Sequence, residues 1–393
     1  MNSDPVVILA ARRTPVGAFQ GAFASVTAPQ LGSVAIKAAL ADSRVAASQV
    51  DEVIMGCVLS AGIGQAPARQ AALGGGIPSS VPSTTVNKMC GSAMRAVMLA
   101  CDQILAGSAT VVVAGGLESM SNAPYLLPKA RAGYRMGNQE VLDHMFHDGL
   151  QSPWNGQLMG CFAEATSQKY EFTRKAQDDF AAESVRRALA AIANGDFAAE
   201  IAAVTAKTRK GEVLVDKDET PFTLDIAKIP TLKPAFKKDG TVTAASSSSI
   251  SDGAAALVLA RESFAASQGK KPLARIMGYT SFAREPEWFT LAPVGAMQKL
   301  LTQLNWQAKD VDLYEINEAF AAVPMAAIKD LELDHQKVNV YGGACALGHP
   351  IGATGARILT TLLHALRGRG KKRGIASLCI GGGEATALAI ELM

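Results

Sequence analysis

The chain has 393 residues, of which 49% are hydrophobic and 19% charged, a balance that predicts a folded protein with a large buried core. Its formal net charge of +3 is mild and argues against nucleic acid as a partner, because nucleic-acid-binding proteins usually carry clustered Lys and Arg. The six cysteines form no short-spaced pairs, so neither a disulfide framework nor a metal site is predicted, and a reducing compartment, the cytoplasm, is expected. No apolar stretch reaches membrane-spanning length, so no membrane contact is expected.

Short runs rich in β-branched residues alternate with alanine-rich stretches of helical periodicity. Strands are predicted at 5–10, 52–58, 109–116, 312–317, 337–343 and 374–383. Helices are predicted at 92–106, 173–195 and 354–367. Continuously apolar strands separated by helices indicate an α/β architecture, with a mixed sheet that helices cover on both faces.

A faint internal repeat relates the two ends of the chain. Residues 90–116 and 352–383 both run from a glycine turn through a helix and a polar loop to a strand and further glycines. The middle, about 121–243, is richer in proline, aromatic and charged residues, which predicts a long insertion. A serine-rich loop and a strand at 243–260 mark the return to the core, and this loop is either a linker or a ligand-binding loop.

Cys90 lies in VNKMCGSAMRA, directly before a predicted helix. A glycine turn at a helix start gives close backbone approach, and the unpaired amides and positive dipole end there favour a thiolate of low pKa. The same amides could hold an oxyanion. The alternative is a buried cysteine at the end of a strand, since cysteine is among the most buried residue types.

Two more side chains occupy glycine-rich turns in the second half. His349 lies in GGACALGHPIGATGAR, where an imidazole could deprotonate a thiol or donate to a developing oxyanion. Cys379 precedes three glycines in ASLCIGGGEA, whose free amides would suit an oxyanion. Asn317 follows a predicted strand and either caps the next helix or fixes a water in the site. A nucleophile, a base and an imidazole together predict covalent acyl transfer with proton abstraction.

Six segments together resemble the thiolase family: RTPVGAFQG, NKMCGSAMRA, GGLESMSNAPYLLPKAR, NEAFAA, GGACALGHPIGATGAR and LCIGGG. The match runs from Arg12 to the C-terminus and is most similar to the acetyl-CoA acetyltransferase group of that family. The resemblance implies a thiolase-like α/β fold with duplicated halves in a layered αβαβα core and an inserted loop domain. The N-terminal half would span 1–120 plus 244–270, the inserted domain 121–243 and the C-terminal half 271–393.

The resemblance also implies a role for each motif residue. Cys90 would carry the acetyl group, His349 would activate it, and Cys379 would remove the α-proton of a second acetyl-CoA. His349, with a water held by Asn317, would stabilise the enolate, and the amides of Cys90 and Gly381 would bind the tetrahedral oxyanion. The implied reaction is the reversible condensation of two acetyl-CoA to acetoacetyl-CoA and coenzyme A.

The implied substrates are coenzyme A thioesters, with no tightly bound cofactor. The inserted domain would bind coenzyme A and contribute contacts to a homotetramer built as a dimer of dimers. The pocket candidates are Ser248, Phe236, Met159, Leu150, Ala319 and Phe320.

Four positions depart from the family pattern. Leu158 stands where acetyl-specific members commonly have histidine, and Glu384-Ala385 where a Met-Gly pair is common. The serine-rich loop reads Ala-Ser-Ser-Ser at 245–248 in place of Gly-Asn-Ala-Ser, and an arginine near the coenzyme A phosphates has no counterpart at 216–225. These changes bear on coenzyme A binding and acyl chain length and leave the catalytic groups in place.

Three other functions remain open. A 3-ketoacyl-CoA thiolase for longer chains differs only in its pocket. A decarboxylating ketoacyl synthase typically pairs one cysteine with two histidines, and Cys379 counts against it. A non-catalytic thiolase-like lipid-binding protein would be favoured by loss of the nucleophile or the base, and both are present here.

Overall fold

The computed structural model describes residues 4–208 and 211–393. Within these ranges the strands are β1 (Val6–Arg13), β2 (Gly17–Ala18), β3 (Glu52–Gly56), β4 (Ser83–Val86), β5 (Val111–Ser119), β6 (Tyr125–Leu126), β7 (Leu142–Asp143), β8 (Val204–Thr208), β9 (Gly211–Val215), β10 (Ser251–Arg261), β11 (Ala274–Ala283), β12 (Leu313–Ile316), β13 (Arg373–Ile380) and β14 (Glu384–Leu392). The α-helices are α1 (Ala28–Ser43), α2 (Pro67–Gly74), α3 (Ser92–Ala106), α4 (Met159–Tyr170), α5 (Arg174–Asn194), α6 (Glu262–Ser267), α7 (Ala292–Leu304), α8 (Ala322–Asp330), α9 (Ala344–Leu347) and α10 (Thr354–Gly368).

The two halves of the chain pair their strands in the same way. In the first half, β3 is parallel to β5, β5 is antiparallel to β10, and β10 is antiparallel to β1. In the second half, β12 is parallel to β13, β13 is antiparallel to β14, and β14 is antiparallel to β11. A short pairing of β1 with β11 joins the two sets. The repeat seen faintly in the sequence is therefore a duplication of topology.

Helices fill three layers around these strands. The apolar faces of α3 and α10 meet between the two sets of strands, in a cluster that includes Val97, Leu359 and Leu388. The outer face of the first set is covered by α1 and α2, and that of the second by α7 and α8. This order is the expected αβαβα core, because each amphipathic helix must bury its apolar stripe against a sheet.

The helix predictions are confirmed, and one strand prediction is wrong. Predicted helices at 92–106, 173–195 and 354–367 correspond to α3, α5 and α10. The segment 337–343 makes only a single bridge, between Val338 and Tyr314. Asn339 and Gly342 break it as a strand, since their φ angles of +49° and +79° are left-handed. The Asn339 side chain instead bonds the backbone N–H and C=O of Ile316, both at 2.8 Å, and so completes the edge of β12.

In the described part of the predicted insertion, short strands pair antiparallel and two helices pack beside them. β6 pairs with β7 and β8 with β9, while α4 and α5 pack against the second half. The residue ranges assigned to the three parts stay a prediction. No helix in the described ranges combines the length and apolarity needed to cross a bilayer.

Candidate active site

Cys90 lies in a strained turn between β4 and α3. Met89 before it has a φ of +47°, a left-handed conformation that is uncommon outside glycine. Asn87 Oδ1 accepts the Met89 N–H at 2.9 Å, and the Ser92 hydroxyl accepts the Lys88 N–H at 2.8 Å and donates to Met89 O at 2.6 Å. Helix α3 begins at Ser92, so the sequence placed Cys90 correctly, just before a helix. Because several hydrogen bonds hold the turn, the thiol has a fixed position.

The turn after β13 meets the Cys90 turn. The backbone N–H groups of Gly381 and of Cys90 itself face the Cys90 thiol, and each lowers its pKa. Cys379, near the end of β13, is fully buried and close enough to Cys90 for the Cys90 thiolate charge to raise the pKa of Cys379. The Ile380 side chain packs closely on Gly91, where a larger residue would have to displace it. Two thiols and two convergent amides thus come together from opposite halves of the chain.

His349 and Asn317 form a second group of polar side chains in the site. His349 lies on a turn that packs against the start of α3, and Asn317 follows β12. The Thr354 hydroxyl donates to Pro350 O at 2.9 Å, so at 2.6 Å it accepts from His349 Nδ1–H. This leaves the lone pair on Nε2, which lies 3.5 Å from the Asn317 amide nitrogen. Ile351, in the same turn as His349, packs in one apolar cluster with Cys90. The imidazole is therefore held in the tautomer that can accept a proton at Nε2.

Asn317 is not a helix cap. Helix α8 begins at Ala322 with Ala321 as its N-cap, and Asn317 continues from β12 by donating its N–H to Ser377 O at 3.0 Å. Its side chain is 1% exposed, and Oδ1 accepts no hydrogen bond from the described part of the protein. The amide is thus free to bind a water or a substrate atom beside His349.

Burial sets the charge of all three reactive groups. It raises the pKa of Cys90 to about 11 and outweighs the amides of Gly381 and Cys90 that lower it. It raises the pKa of Cys379 as well, with Cys90 as the next cause. Burial and then the Arg357 charge lower the pKa of His349 to about 3. The expectation of a low thiol pKa at Cys90 is therefore wrong for the resting protein, in which both thiols and the imidazole are neutral at pH 7.

Two buried carboxylates that the sequence analysis missed hold the site together. Glu118 accepts N–H groups from Val58 and Leu59, each at 3.1 Å, and from Gly352 in the His349 turn at 2.8 Å. Burial raises its pKa to about 7 against these hydrogen bonds. Glu318 accepts the Cys345 N–H at 3.0 Å and thereby anchors the other side of that turn. The sequence signal for both was a lone carboxylate inside an apolar or glycine-rich motif.

Most of the predicted pocket residues share an apolar cluster with a reactive cysteine. Leu150 is in the cluster that Cys90 packs against, and the cluster of Cys379 includes Met159, Phe236, Ala319 and Phe320. Ser248 N–H donates to Ala319 O at 3.0 Å. The Phe236 and Phe320 rings meet edge to face, with centroids 5.9 Å apart. In the same serine-rich loop, Ser249 O accepts the His349 N–H at 3.2 Å, so this loop contacts the site and is not a free linker.

The segment before α4 borders the Gly381 turn. Met159 Sδ lies 3.6 Å from where a Cβ on Gly381 would stand, and Trp154, 65% exposed, lies equally close to Gly382. Leu158 is half-buried at the N-cap of α4 and offers no hydrogen bond to the helix. Leu150 packs in the cluster that contains Cys90. The sequence analysis missed Trp154, because nothing in its local pattern sets it apart from an exposed loop residue.

Within the described ranges, no group of three or more His, Cys, Asp or Glu side chains is arranged to hold a metal ion.

Comparisons with known proteins agree with this site and fold. The chain matches the family models for the thiolase N-terminal domain over residues 6–263 and the thiolase C-terminal domain over residues 270–392. The acetyl-CoA acetyltransferase of Escherichia coli is 51% identical over 387 residues, which cover 98% of each chain. That of Cupriavidus necator is 50% identical over 390 residues, covering 98% of this chain and 99% of the relative.

Solved structures extend the likeness to the whole fold. The acetyl-CoA acetyltransferase of Bacillus anthracis aligns with a TM-score of 0.97 and 44% identity over 99% of each chain. A thiolase from Ascaris suum in complex with coenzyme A aligns with a TM-score of 0.94 and 42% identity over 99% of this chain and all of that one. The duplicated core and the paired thiols define an acyltransferase. The chain belongs to the thiolase family.

Proposed function

We propose that the chain is an acetyl-CoA C-acetyltransferase, also called an acetoacetyl-CoA thiolase. It reversibly condenses two acetyl-CoA to acetoacetyl-CoA and coenzyme A. The observation that carries the proposal is the approach of Cys379, near the end of β13, to Cys90 in its turn, with the Gly381 N–H facing the Cys90 thiol. Full-length relatives near 50% identity that bear this name support it.

In the first half-reaction, His349 Nε2 takes the Cys90 proton as the sulfur attacks the carbonyl carbon of acetyl-CoA. The oxyanion forms beside the amides of Cys90 and Gly381, and each such donor contributes about 3 kcal/mol to the transition state. Collapse breaks the carbon–sulfur bond to coenzyme A, and the Cys379 thiol protonates the leaving thiolate. The raised pKa of Cys379 suits this step, since it keeps the thiol protonated until a strong thiolate base appears.

In the second half-reaction, the Cys379 thiolate takes an α-proton from a second acetyl-CoA. The enolate oxygen is stabilised by the imidazolium at His349 and by a water on Asn317. The enolate carbon attacks the acetyl group on Cys90, and collapse releases acetoacetyl-CoA and the Cys90 thiolate. His349 returns its proton to Cys90, so every proton is accounted for at the end of the cycle.

Two half-reaction assays test these roles. Acetyl-CoA should add one acetyl group per chain to the wild type and none to Cys90→Ala, as measured by intact mass. Cys379→Ser should still acetylate but should lose exchange of the acetyl-CoA methyl protons with solvent. Full labelling of Cys90→Ala, or normal exchange in Cys379→Ser, would contradict the assignment.

Chain length is decided by the pocket beside Leu158 and Met159. Leucine adds apolar surface and cannot hydrogen-bond a thioester, so an added methylene on the substrate should gain about 1 kcal/mol or less. Thiolysis rates should therefore fall only weakly from acetoacetyl-CoA to its 2-methyl or longer 3-ketoacyl analogues, and Leu158→His should sharpen the preference. Strict selectivity that Leu158→His leaves unchanged would show that Leu158 only packs the loop.

We further propose a cytoplasmic homotetramer that takes part in lipid metabolism, with coenzyme A binding and tetramer contacts in 121–243. This segment carries exposed apolar side chains, among them Tyr125 at 69% and Met136 at 92% exposure. Light scattering should give four times the chain mass. A stable monomer would refute the assembly, and a dimer would remove only the loop contact.

A further inference from the structure

An ion pair joins the two turns that form the proposed oxyanion site. Lys88 comes two residues before Cys90, and Glu384 three residues after Gly381. Lys88 Nζ and Glu384 Oε2 are in direct contact, and their side chains are only 26% and 36% exposed. The pair therefore connects backbone segments that are 296 residues apart in sequence.

Each member of the pair is tied to the backbone of its own turn. The Lys88 N–H bonds the Ser92 hydroxyl at 2.8 Å, and Lys88 O accepts the Gly91 N–H at 3.0 Å, so Lys88 is part of the turn that presents Cys90. Glu384 begins β14, and its backbone is paired with Ile380 in β13. The attraction between the two charged side chains therefore helps to fix the distance between the two turns.

The Gly381 turn has few side-chain contacts of its own. Gly382 and Gly383 have φ angles of +100° and +91°, and they have no side chains with which to pack. The Gly381 N–H faces the Cys90 thiol from this glycine segment, so its aim depends on what fixes the segment at its ends. On one side Ile380 packs on Gly91. On the other side Gly383 O accepts the Arg284 N–H at 2.8 Å, and the charged pair holds Glu384 to Lys88.

We infer that Lys88 and Glu384 are a positioning pair, which holds the Gly381 amide on the sulfur and hence on the oxyanion that forms there. The inference rests on the proposed function. The pair acts through Gly381 and touches no reacting atom. Its loss should slow both half-reactions that pass through a tetrahedral oxyanion and leave affinity for the thioester almost unchanged, because an oxyanion donor acts mainly in the transition state.

The test compares Glu384→Gln and Lys88→Met with Glu391→Gln. The control removes an ion pair at the other end of β14, where Arg373 Nε of β13 lies 2.8 Å from Glu391. Steady-state thiolysis of acetoacetyl-CoA and the rate of Cys90 acetylation are measured for each. Glu384→Gln and Lys88→Met should lower kcat about threefold to tenfold with KM within about twofold. The control should keep the wild-type kcat.

Two further readouts separate positioning from a general loss of structure. Salt should lower kcat of the wild type more than that of Glu384→Gln, because only the wild type retains a partly exposed pair to be screened. The swap Lys88→Glu with Glu384→Lys should recover part of the lost kcat. The inference is overturned if Glu384→Gln matches Glu391→Gln in kcat, or if its whole loss lies in KM. Acetylation of the wild type at Cys90 keeps this outcome distinct from failure of the proposed function.

Discussion

At the scale of single residues, burial rather than local dipoles determines the charge of the reactive groups. A helix N-terminus stabilises an anion by about 1 kcal/mol, whereas desolvation of a fully buried group shifts its pKa by several units. Cys90 is half-buried and has both influences, and loss of hydration outweighs the helix dipole. The nucleophile therefore has to give its proton to His349 during its attack on the substrate. The hydrogen bonds that the new oxyanion accepts then compensate for the unfavourable loss of this proton.

A pH dependence follows for modification of Cys90. Its pKa of about 11 lies above the ordinary thiol value, so the thiol stays protonated across neutral pH and the thiolate fraction rises about tenfold per pH unit. The rate of alkylation by iodoacetamide should keep rising from pH 6 to 9, after the rate of Cys90→Ser is subtracted to remove the other cysteines. A plateau already reached near pH 6 would mean a stable thiolate, against this assignment.

Thr354 should be a positioning residue for His349. Thr354→Val keeps the shape but leaves the His349 Nδ1–H without its acceptor, so the tautomer with the lone pair on Nε2 loses its support. We expect kcat to fall at least about tenfold with little change in KM, because the base acts in the chemical step. Thr354→Ser retains the hydroxyl and should retain most of kcat. Equal values of kcat for the valine and serine variants would rule the role out.

The site residues that the sequence revealed have their distinctive neighbours close by in the chain, whereas the site residues that it missed have partners in distant segments. Cys90, His349 and Cys379 are conspicuous because each has glycines beside it in the chain. Glu118 also follows two glycines, but its hydrogen-bond donors are the N–H groups of Val58, Leu59 and Gly352, which only the fold brings together. The direction of the Cys90 pKa shift also could not be predicted from the sequence, because segments distant in the chain determine how far the thiol is buried.

At the scale of elements, the central layer depends on small residues where α3 and α10 cross. Gly355 is the second residue of α10, and a Cβ there would overlap the Met94 backbone nitrogen and lie 3.0 Å from Met94 Cα. The helices can approach this closely only because glycine stands at the contact. Their approach also carries the His349 turn to the start of α3.

Gly355→Ala should therefore destabilise the protein. Alanine improves helix propensity by about 1 kcal/mol, but the collision involves backbone and cannot be relieved by a rotamer change. We expect the free energy of unfolding to fall by about 1–3 kcal/mol in urea denaturation. A variant as stable as the wild type would show that α3 and α10 can separate without cost.

Sequence periodicity predicted the elements well where one face or the whole segment is buried. It failed at 337–343, where an apolar run with β-branched residues forms a turn. The run looks like an edge strand because it stands beside β12, and the Asn339 side chain supplies the two hydrogen bonds that a strand backbone would make. Sequence periodicity cannot distinguish a true strand from a turn whose side chain makes the hydrogen bonds of a strand backbone.

At the scale of the whole molecule, one buried cluster connects all three parts. Arg13 of β1 bonds Glu200 at 2.5 Å and Asp218 at 2.6 Å, and all three side chains are fully buried. Glu200 also accepts from the Thr361 hydroxyl of α10 at 3.1 Å. The cluster thus attaches the predicted insertion to both halves. The local sequence does not predict it, because Arg13 lies about 200 positions from Glu200 and Asp218 in the chain.

Removal of the arginine should be far more costly than loss of a surface charge. Arg13→Met leaves Glu200 and Asp218 buried without their counter-charge, which costs about 3–5 kcal/mol. Lys175→Met on α5 is the control, since its pair with Asp179 is 84% and 64% exposed and should contribute almost nothing. Urea denaturation at pH 7 measures both.

The pH dependence identifies the cause of that loss. Unpaired buried carboxylates have a raised pKa, so the folded Arg13→Met variant takes up protons that the unfolded chain does not hold at neutral pH. A raised folded-state pKa means that stability is lost as pH rises through it, so the deficit of Arg13→Met should shrink as pH falls from 7 toward 5. Replacement of all three members by apolar side chains of similar volume should recover much of the loss at pH 7. If the deficit is the same at both pH values and the triple variant is no better, lost packing on the Phe197 ring, 4.9 Å from the guanidinium, is the cause instead of unpaired charge.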